Sequence, residues 1–279
     1  MIRAPFLLVL VVSLLNMPAA ALDLKFGKWS KKGAKIGQAL RTAKDMHDAL
    51  DIGPEKEMEL GREVAANLIG KYGLIENRQL SSYVSKVGAV VARHATRDDV
   101  QYVFGVLDAD FVGAYALPGG FVFISKGLLE RLNNEAQLAG VLGHEIMHVD
   151  RQHALKALRK TKILATTSKA ASQQMKEKAL FSQATGFLVG FAEKGFSRGD
   201  EYDADEHALP SVTDAGYDGS GLWWALKRLY GGSQDECAKR FAARHPPLQK
   251  RLDKLASFSG HASKGRVLKK RYRATVAMK

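Results

Sequence analysis

The sequence predicts an α+β chain, mostly helical, with a small β-sheet set beside one long buried helix. Three patterns carry that reading. A stretch without Pro from Asn134 to about Arg159 is apolar almost all round, with Leu138, Val141, Leu142, Ile146, Met147 and Val149, as a buried helix is. Ahead of it, Tyr102, Phe104 and Val106 alternate with a period of two, which is the period of a strand. Between them, Pro118-Gly119-Gly120 forces a turn into the β-prone run Phe121–Ser125.

Taken from the N-terminus, residues 1–21 read as an export signal. Arg3 supplies a positive start, Phe6–Leu15 an apolar run, and Pro18-Ala19-Ala20-Ala21 the small residues of a cut after Ala21. Broken by Asn16 and Pro18, that run is too short to span a bilayer. The alternative is an uncleaved anchor. Export places the mature chain in the periplasm, with peripheral membrane contact as an option. Cys237 is the only cysteine, so no intrachain disulfide can form and the core must hold without one. At 279 residues and 46% apolar, the chain is long enough for one large domain or two small ones. The formal charge of +13 falls to +12 once Arg3 leaves with the signal (13 − 1). In an exported chain such a charge suits anionic lipid headgroups or lipopolysaccharide, not nucleic acid.

Residues 22–53 then form a basic amphipathic helix, with Ile36, Leu40, Ala43 and Leu50 near one face. Gly53-Pro54 breaks the chain and opens the main domain, 54–258. Pro54 in a first turn with Glu55, Glu57 and Glu59 starts a helix that runs to about Lys71. Asn77 caps a second, whose apolar positions Leu80, Val84, Val87 and Val91 keep helical spacing. After the strand at 102–106, Asp108–Ala116 can supply another before the turn. Beyond the long helix comes an insert, Thr161–Gly199, whose Gly186 and Gly190 suggest close helix packing. The last segment, 259–279, holds seven basic and no acidic residues and reads as a solvated tail.

The chemistry sits in the long helix. His144, Glu145 and His148 form a H-E-x-x-H array. Residues four apart share a helix face, so both imidazoles can reach one metal ion. Glu145, beside that face, can take a proton from a water activated there. Two imidazoles and one more ligand suit Zn²⁺ with a position left open. One route to the third ligand is a His six residues after His148, but Arg151 and Ala154 stand where that pattern needs Gly and His. The other route takes a Glu from a later helix, and Glu201 with Asp205 four residues on supplies it. Glu201 would bind the metal while Asp205 accepts the free N–H of a ligand His, His144 foremost. Asp200, Asp203 and Glu206 fall elsewhere on that helix. Taken alone, such an acidic run also reads as a solvated face.

Five segments together resemble metallopeptidase family forty-eight, the HtpX-, BepA- and CAAX-prenyl-protease-like zinc peptidases. They are ELG at 59–61, ALPGGFVFISKGLL at 116–129, NEAQLAGVLGHEIMHVDRQH at 134–153, SRGDEYDADEHAL at 197–209 and HPPLQKRL at 245–252. The resemblance implies a gluzincin fold, one Zn²⁺ per chain held by His144, His148 and Glu201, and Glu145 as general base of an endopeptidase. Extended or misfolded envelope proteins are the expected substrates, in periplasmic quality control. It also implies that the strand at 121–125 rims the cleft, where a substrate adds as a β-strand. His245, before Pro246-Pro247, is the expected second donor to the reaction's oxyanion or else a fourth zinc ligand, with Tyr202 and Arg198 behind it. The insert 161–199 is then expected to act as a lid. Many family members carry Asn where this chain has Gly113. A zinc-stabilised periplasmic chaperone or outer-membrane assembly factor with little proteolysis is the alternative, and a lipid-surface binding protein the third.

Overall fold

A computed structural model describes residues 52–161, 173–231, 245–258 and 265–277. The export signal, the basic helix expected over 22–53 (all but its last two residues) and Cys237 lie outside the described residues. From Ile52 onward the order is α1 (Pro54–Tyr72), α2 (Arg78–Ala92), β1 (Val103–Leu107), β2 (Ala114–Ala116), β3 (Phe121–Ser125), α3 (Lys126–Arg131) and α4 (Glu135–Asp150). Then follow α5 (His153–Arg159), α6 (Gln173–Lys194), α7 (Arg198–Asp214), α8 (Gly221–Gly231), α9 (Leu248–Phe258) and α10 (Lys269–Val276). The fold is mostly helical with one small mixed sheet.

Local signals set most of the helix starts. Asn77 accepts a hydrogen bond from the Leu80 amide at 3.0 Å, and Asn134 one from Gln137 at 2.9 Å, so α2 and α4 begin where those side chains satisfy open N–H groups. All residues of α4 are buried, with α7, α8 and α2 packed around it. The crossing with α8 is tight enough to need Gly140, where a Cβ would stand 2.5 Å from the Leu222 nitrogen.

The sheet corrects one expectation. Its order is β1-β3-β2, with β3 parallel to β1 and antiparallel to β2. The strand at 121–125 is therefore central, its backbone groups engaged on both sides, and has no edge to which an extended substrate could add. β2 holds one edge. The Leu117 amide bonds to Phe121 and the Ser125 amide to Gly113, so residues 113, 115 and 117 face β3. By the alternation of an antiparallel ladder, Ala114 and Ala116 turn their N–H and C=O groups away from it. The turn between β2 and β3 is bolted to α1 by buried Glu57, which accepts from Gly119 N at 3.0 Å and from Arg97 at 2.9 and 2.8 Å. Gly61 of the ELG segment lets α1 approach that turn, since a Cβ there would meet the Pro118 oxygen at 2.0 Å.

Three further expectations change. The helical stretch from Asn134 to Arg159 is broken: α4 ends at Asp150, and Gln152 takes a left-handed φ of 53° before α5 begins. Asp150 helps to hold this end, accepting from the amides of Thr96 and Arg97 at 2.8 Å each. No Pro or Gly marks the break, so the pattern could not show it. Gly186 and Gly190 are not a packing seam, because a Cβ at either would meet nothing within 4 Å among the described residues. The basic tail is partly docked. Within it, α10 buries Tyr272, and Arg271 pairs with Glu135 of α4.

Candidate metal centre

α4 turns His144 and His148 toward one point. Their Nε2 atoms lie 3.1 Å apart, with the rings at 83° to each other. The third group comes from α7, whose start is set by a capping box in which Ser197 and Asp200 exchange hydrogen bonds. That start puts Glu201 in the first turn, facing α4. Its Oε2 is 3.6 Å from His144 Nε2 and its Oε1 is 3.8 Å from His148 Nε2. All three side chains are buried, and their ligand atoms lie within 4.8 Å of one another.

This cluster fits a zinc ion. Ligands at about 2.0–2.1 Å in a tetrahedron stand roughly 3.4 Å apart, and the separations of 3.1, 3.6 and 3.8 Å bracket that spacing. Glu201 Oε1 is buried and has no hydrogen-bond donor among the described residues. A carboxylate oxygen held out of water without a donor is costly, and a cation among these ligands would satisfy it.

The surroundings orient each ligand. His144 Nδ1 stands 2.9 Å from Asp205 Oδ1, which leaves Nε2 to face the centre. Asp205 is in turn clamped by buried Arg251 of α9 at 2.8 and 2.7 Å, and the same guanidinium reaches within 3.4 Å of Glu201 Oε2. His148 is stacked face to face on Phe196, centroids 3.7 Å apart and planes 12° apart. Its Nδ1 meets Nδ1 of His153 at 2.9 Å. His245 stands 2.8 Å from Glu201 Oε2 through its Nδ1. Glu145 is buried beside the ligands. Tyr202 lies under Lys254, whose Nζ is 4.9 Å from its ring centre.

Without a metal the ionisation of the cluster is uneven. Burial alone would lower His144, but the Asp205 charge carries it up to about 9. Burial, and then the charge on His144, hold His148 well below the ordinary range. Glu201 would be raised by burial, yet His245 and His144 bring it well below the usual carboxylate range. Burial would raise Asp205 too, and there the Arg251 charge outweighs it and lowers the group.

So the structure brings together His144, Glu145, His148, Glu201, Asp205 and His245. Sequence reasoning missed Arg251, His153 and Phe196. The first two lie inside segments that carried the resemblance, but Phe196 has no sequence signal. Asp203 faces elsewhere on its helix, as its spacing from Glu201 predicts, and meets His153 there. The insert also departs from a free lid, because α6 packs on α1 and α5, with Ala184 and Leu188 buried against the group that holds Leu60, Val64 and Leu155. Residues 162–172 of the insert lie outside the described residues.

The sequence profile described as Peptidase family M48 matches residues 76–259, more than half of the chain. The Beta-barrel assembly-enhancing protease of Escherichia coli (strain K12) is 25% identical over 230 residues, covering 76% of this chain and 46% of that protein. Mitochondrial metalloendopeptidase OMA1 of Schizosaccharomyces pombe is 27% identical over 215 residues, covering 74% and 61%. Metalloprotease YcaL of Escherichia coli (strain K12) is 26% identical over 213 residues, covering 72% and 76%. The chain thus spans about half the length of the first of these relatives.

Proposed function

The chain belongs to Peptidase family M48, and from that premise we propose that it is a zinc-dependent metalloendopeptidase of the gluzincin type. Its substrates are extended or misfolded proteins of the cell envelope. The observation that carries the reading is Glu201 Oε1, buried beside two inward-facing imidazoles and without a donor among the described residues. Those three residues would hold one zinc ion per chain. Bound there, zinc would polarise the scissile carbonyl and lower the pKa of water. Glu145 takes the proton of the attacking water and returns it to the leaving amine. The second donor to the oxyanion is His245, whose ring lies against Glu201. The open edge of β2 receives the substrate, with the backbone of Ala114 and Ala116 free to pair with an extended chain.

Residues 1–21 direct export to the periplasm. Among the described residues no helix is long and apolar enough to cross a membrane. Contact of the basic surface with anionic lipid remains part of the proposal, as does the absence of a nucleic-acid partner. The relative named for enhancing β-barrel assembly favours a second reading, an assembly factor with little proteolysis. One experiment separates the two. The full chain and its Glu145→Gln variant are incubated with unfolded casein after their zinc is measured. Gln keeps the shape of Glu but accepts no proton, so cleavage should fall about 10²–10⁴-fold with zinc retained. A wild-type chain that holds zinc and cleaves no faster than Glu145→Gln would leave the assembly reading standing.

A further inference from the structure

The two imidazoles of the centre are oriented in different ways. His144 gives its Nδ1 directly to Asp205. His148 has no carboxylate within reach of its Nδ1 among the described residues; it meets another imidazole, that of buried His153, at 2.9 Å. On its far side His153 Nε2 lies 3.1 Å from Asp203 Oδ2. Asp203 is itself fixed by Arg151, which donates to Oδ2 at 2.9 Å and to Oδ1 at 3.3 Å.

The proton positions along this line follow by elimination. An ionised carboxylate only accepts, so His153 Nε2 must carry the hydrogen that faces Asp203. A neutral His153 then has a bare Nδ1, which accepts from His148. His148 must therefore carry its hydrogen on Nδ1 and present a bare Nε2 toward His144 and Glu201. That tautomer is the one a metal ligand needs.

We propose that His153 is a positioning residue of the metal centre, relaying the Asp203 carboxylate to His148 so that His148 Nε2 is held bare and aimed at the ion. The helix geometry explains why a relay stands where a carboxylate would do. Asp203 lies about 200° around α7 from Glu201, so it cannot point into the centre as Asp205 does. Had α4 continued without a break, His153 would lie about 140° around the axis from His148 and about 7.5 Å along it. The break removes that obstacle. It rests on Gln152 at a φ of 53°, a conformation that disfavours a residue with a side chain. Strain of this kind, one residue before His153, is where a constraint other than helix propensity is being met. Phe196 completes the arrangement by fixing the plane of the His148 ring from its face.

The inference rests on the metal reading above, and the test separates the two. Zinc affinity of the full chain is measured by competition with a chromophoric chelator, for wild type, His153→Leu, His153→Asn and Asp203→Leu. The wild-type value tests the metal site; the ratios between variants test the relay. The Asn Oδ1 sits where Nδ1 of His153 sits and still accepts, whereas Leu does not. His153→Leu should weaken zinc binding about 10–100-fold, as loss of such a partner does, and His153→Asn should stay within about threefold. Asp203→Leu should fall between them, and its Co²⁺-loaded form should show a shifted visible spectrum. If His153→Leu does not fold, the Asn and Asp203 variants carry the test. Wild-type affinity and an unchanged spectrum in Asp203→Leu would overturn the proposal. So would equal weakening in His153→Leu and His153→Asn, which would mark the ring as packing alone. A wild-type chain that binds no metal overturns both readings.

Discussion

Glu135, at the N-terminal end of α4, and Glu201, against its C-terminal half, are both fully buried, yet the chain completes them differently. Glu135 has donors on both oxygens. Oε1 accepts from Tyr217 Oη at 2.8 Å and from Arg271, and Oε2 accepts from Tyr83 Oη at 2.7 Å and from Arg271 Nε at 2.6 Å. Glu201 engages His245 and Arg251 through Oε2 and, among the described residues, leaves Oε1 without a donor. The difference teaches how to tell a structural carboxylate from a site in one helix bundle. The first is satisfied from within the fold and ties α2, α10 and the loop after α7 to α4. The second is left open at one oxygen among the described residues, on the side that faces the two imidazoles.

Exchanging the roles should fail in both directions. Glu201→Ala should remove the metal and with it all peptide-bond cleavage, with elemental analysis reading a fall from about one zinc per chain to near none. Full zinc in that variant would reject the ligand assignment and, with it, the contrast. Glu135→Ala should do the reverse. It strands two tyrosine hydroxyls and the Arg271 guanidinium, and should cost about 3 kcal/mol of stability. That value is at the low end because Arg271 is 54% exposed and its share is screened by solvent. Urea denaturation reads the loss, and zinc content should not move.

A smaller effect sharpens the comparison inside the metal site. Asp205→Ala leaves all three ligands in place but takes away the acceptor of His144 Nδ1–H. It should weaken metal binding or activity about 10–100-fold, less than loss of a ligand does. Chelator competition would show it. An effect as large as that of Glu201→Ala would mean that Asp205 holds the fold and not only the ring.

The smallest effect is a pH dependence at the structural end. Burial would raise Glu135, but Arg271 and the hydroxyls of Tyr83 and Tyr217 hold it below its ordinary value of 4.5. A carboxylate depressed in the folded state contributes stability that is present above 4.5 and lost as pH falls through the folded value. Urea midpoints should therefore decline on acidification below about pH 4.5, and Glu135→Gln should show a shallower decline. An identical acid slope in the two proteins would place the loss in other carboxylates.

Much of the site was legible because its parts are local. The four-residue spacing of His144 and His148, and that of Glu201 and Asp205, places each pair on one face of a helix whatever the rest of the chain does. The caps at Asn77 and Asn134 are equally local, since each side chain bonds an amide three residues on. The alternation at Tyr102, Phe104 and Val106 marked a strand for the same reason.

Periodicity says which residues share a face but not which partner that face meets. Strand order was therefore beyond it, and the strand at 121–125 lies at the centre of the sheet while β1 and β2 hold its edges. The basic composition of 259–279 suggested solvation, while Arg271 and Tyr272 found buried partners 136 and 143 residues away in sequence. The sequence by itself determined which residues could ligate a metal, because ligand type and helical spacing are properties of a few consecutive residues. Only the tertiary structure decided that Arg251 clamps Asp205, that Phe196 stacks on His148, and that a break at Gln152 brings His153 to Asp203. Each of these depends on where separate helices cross, which is set by packing over the whole core.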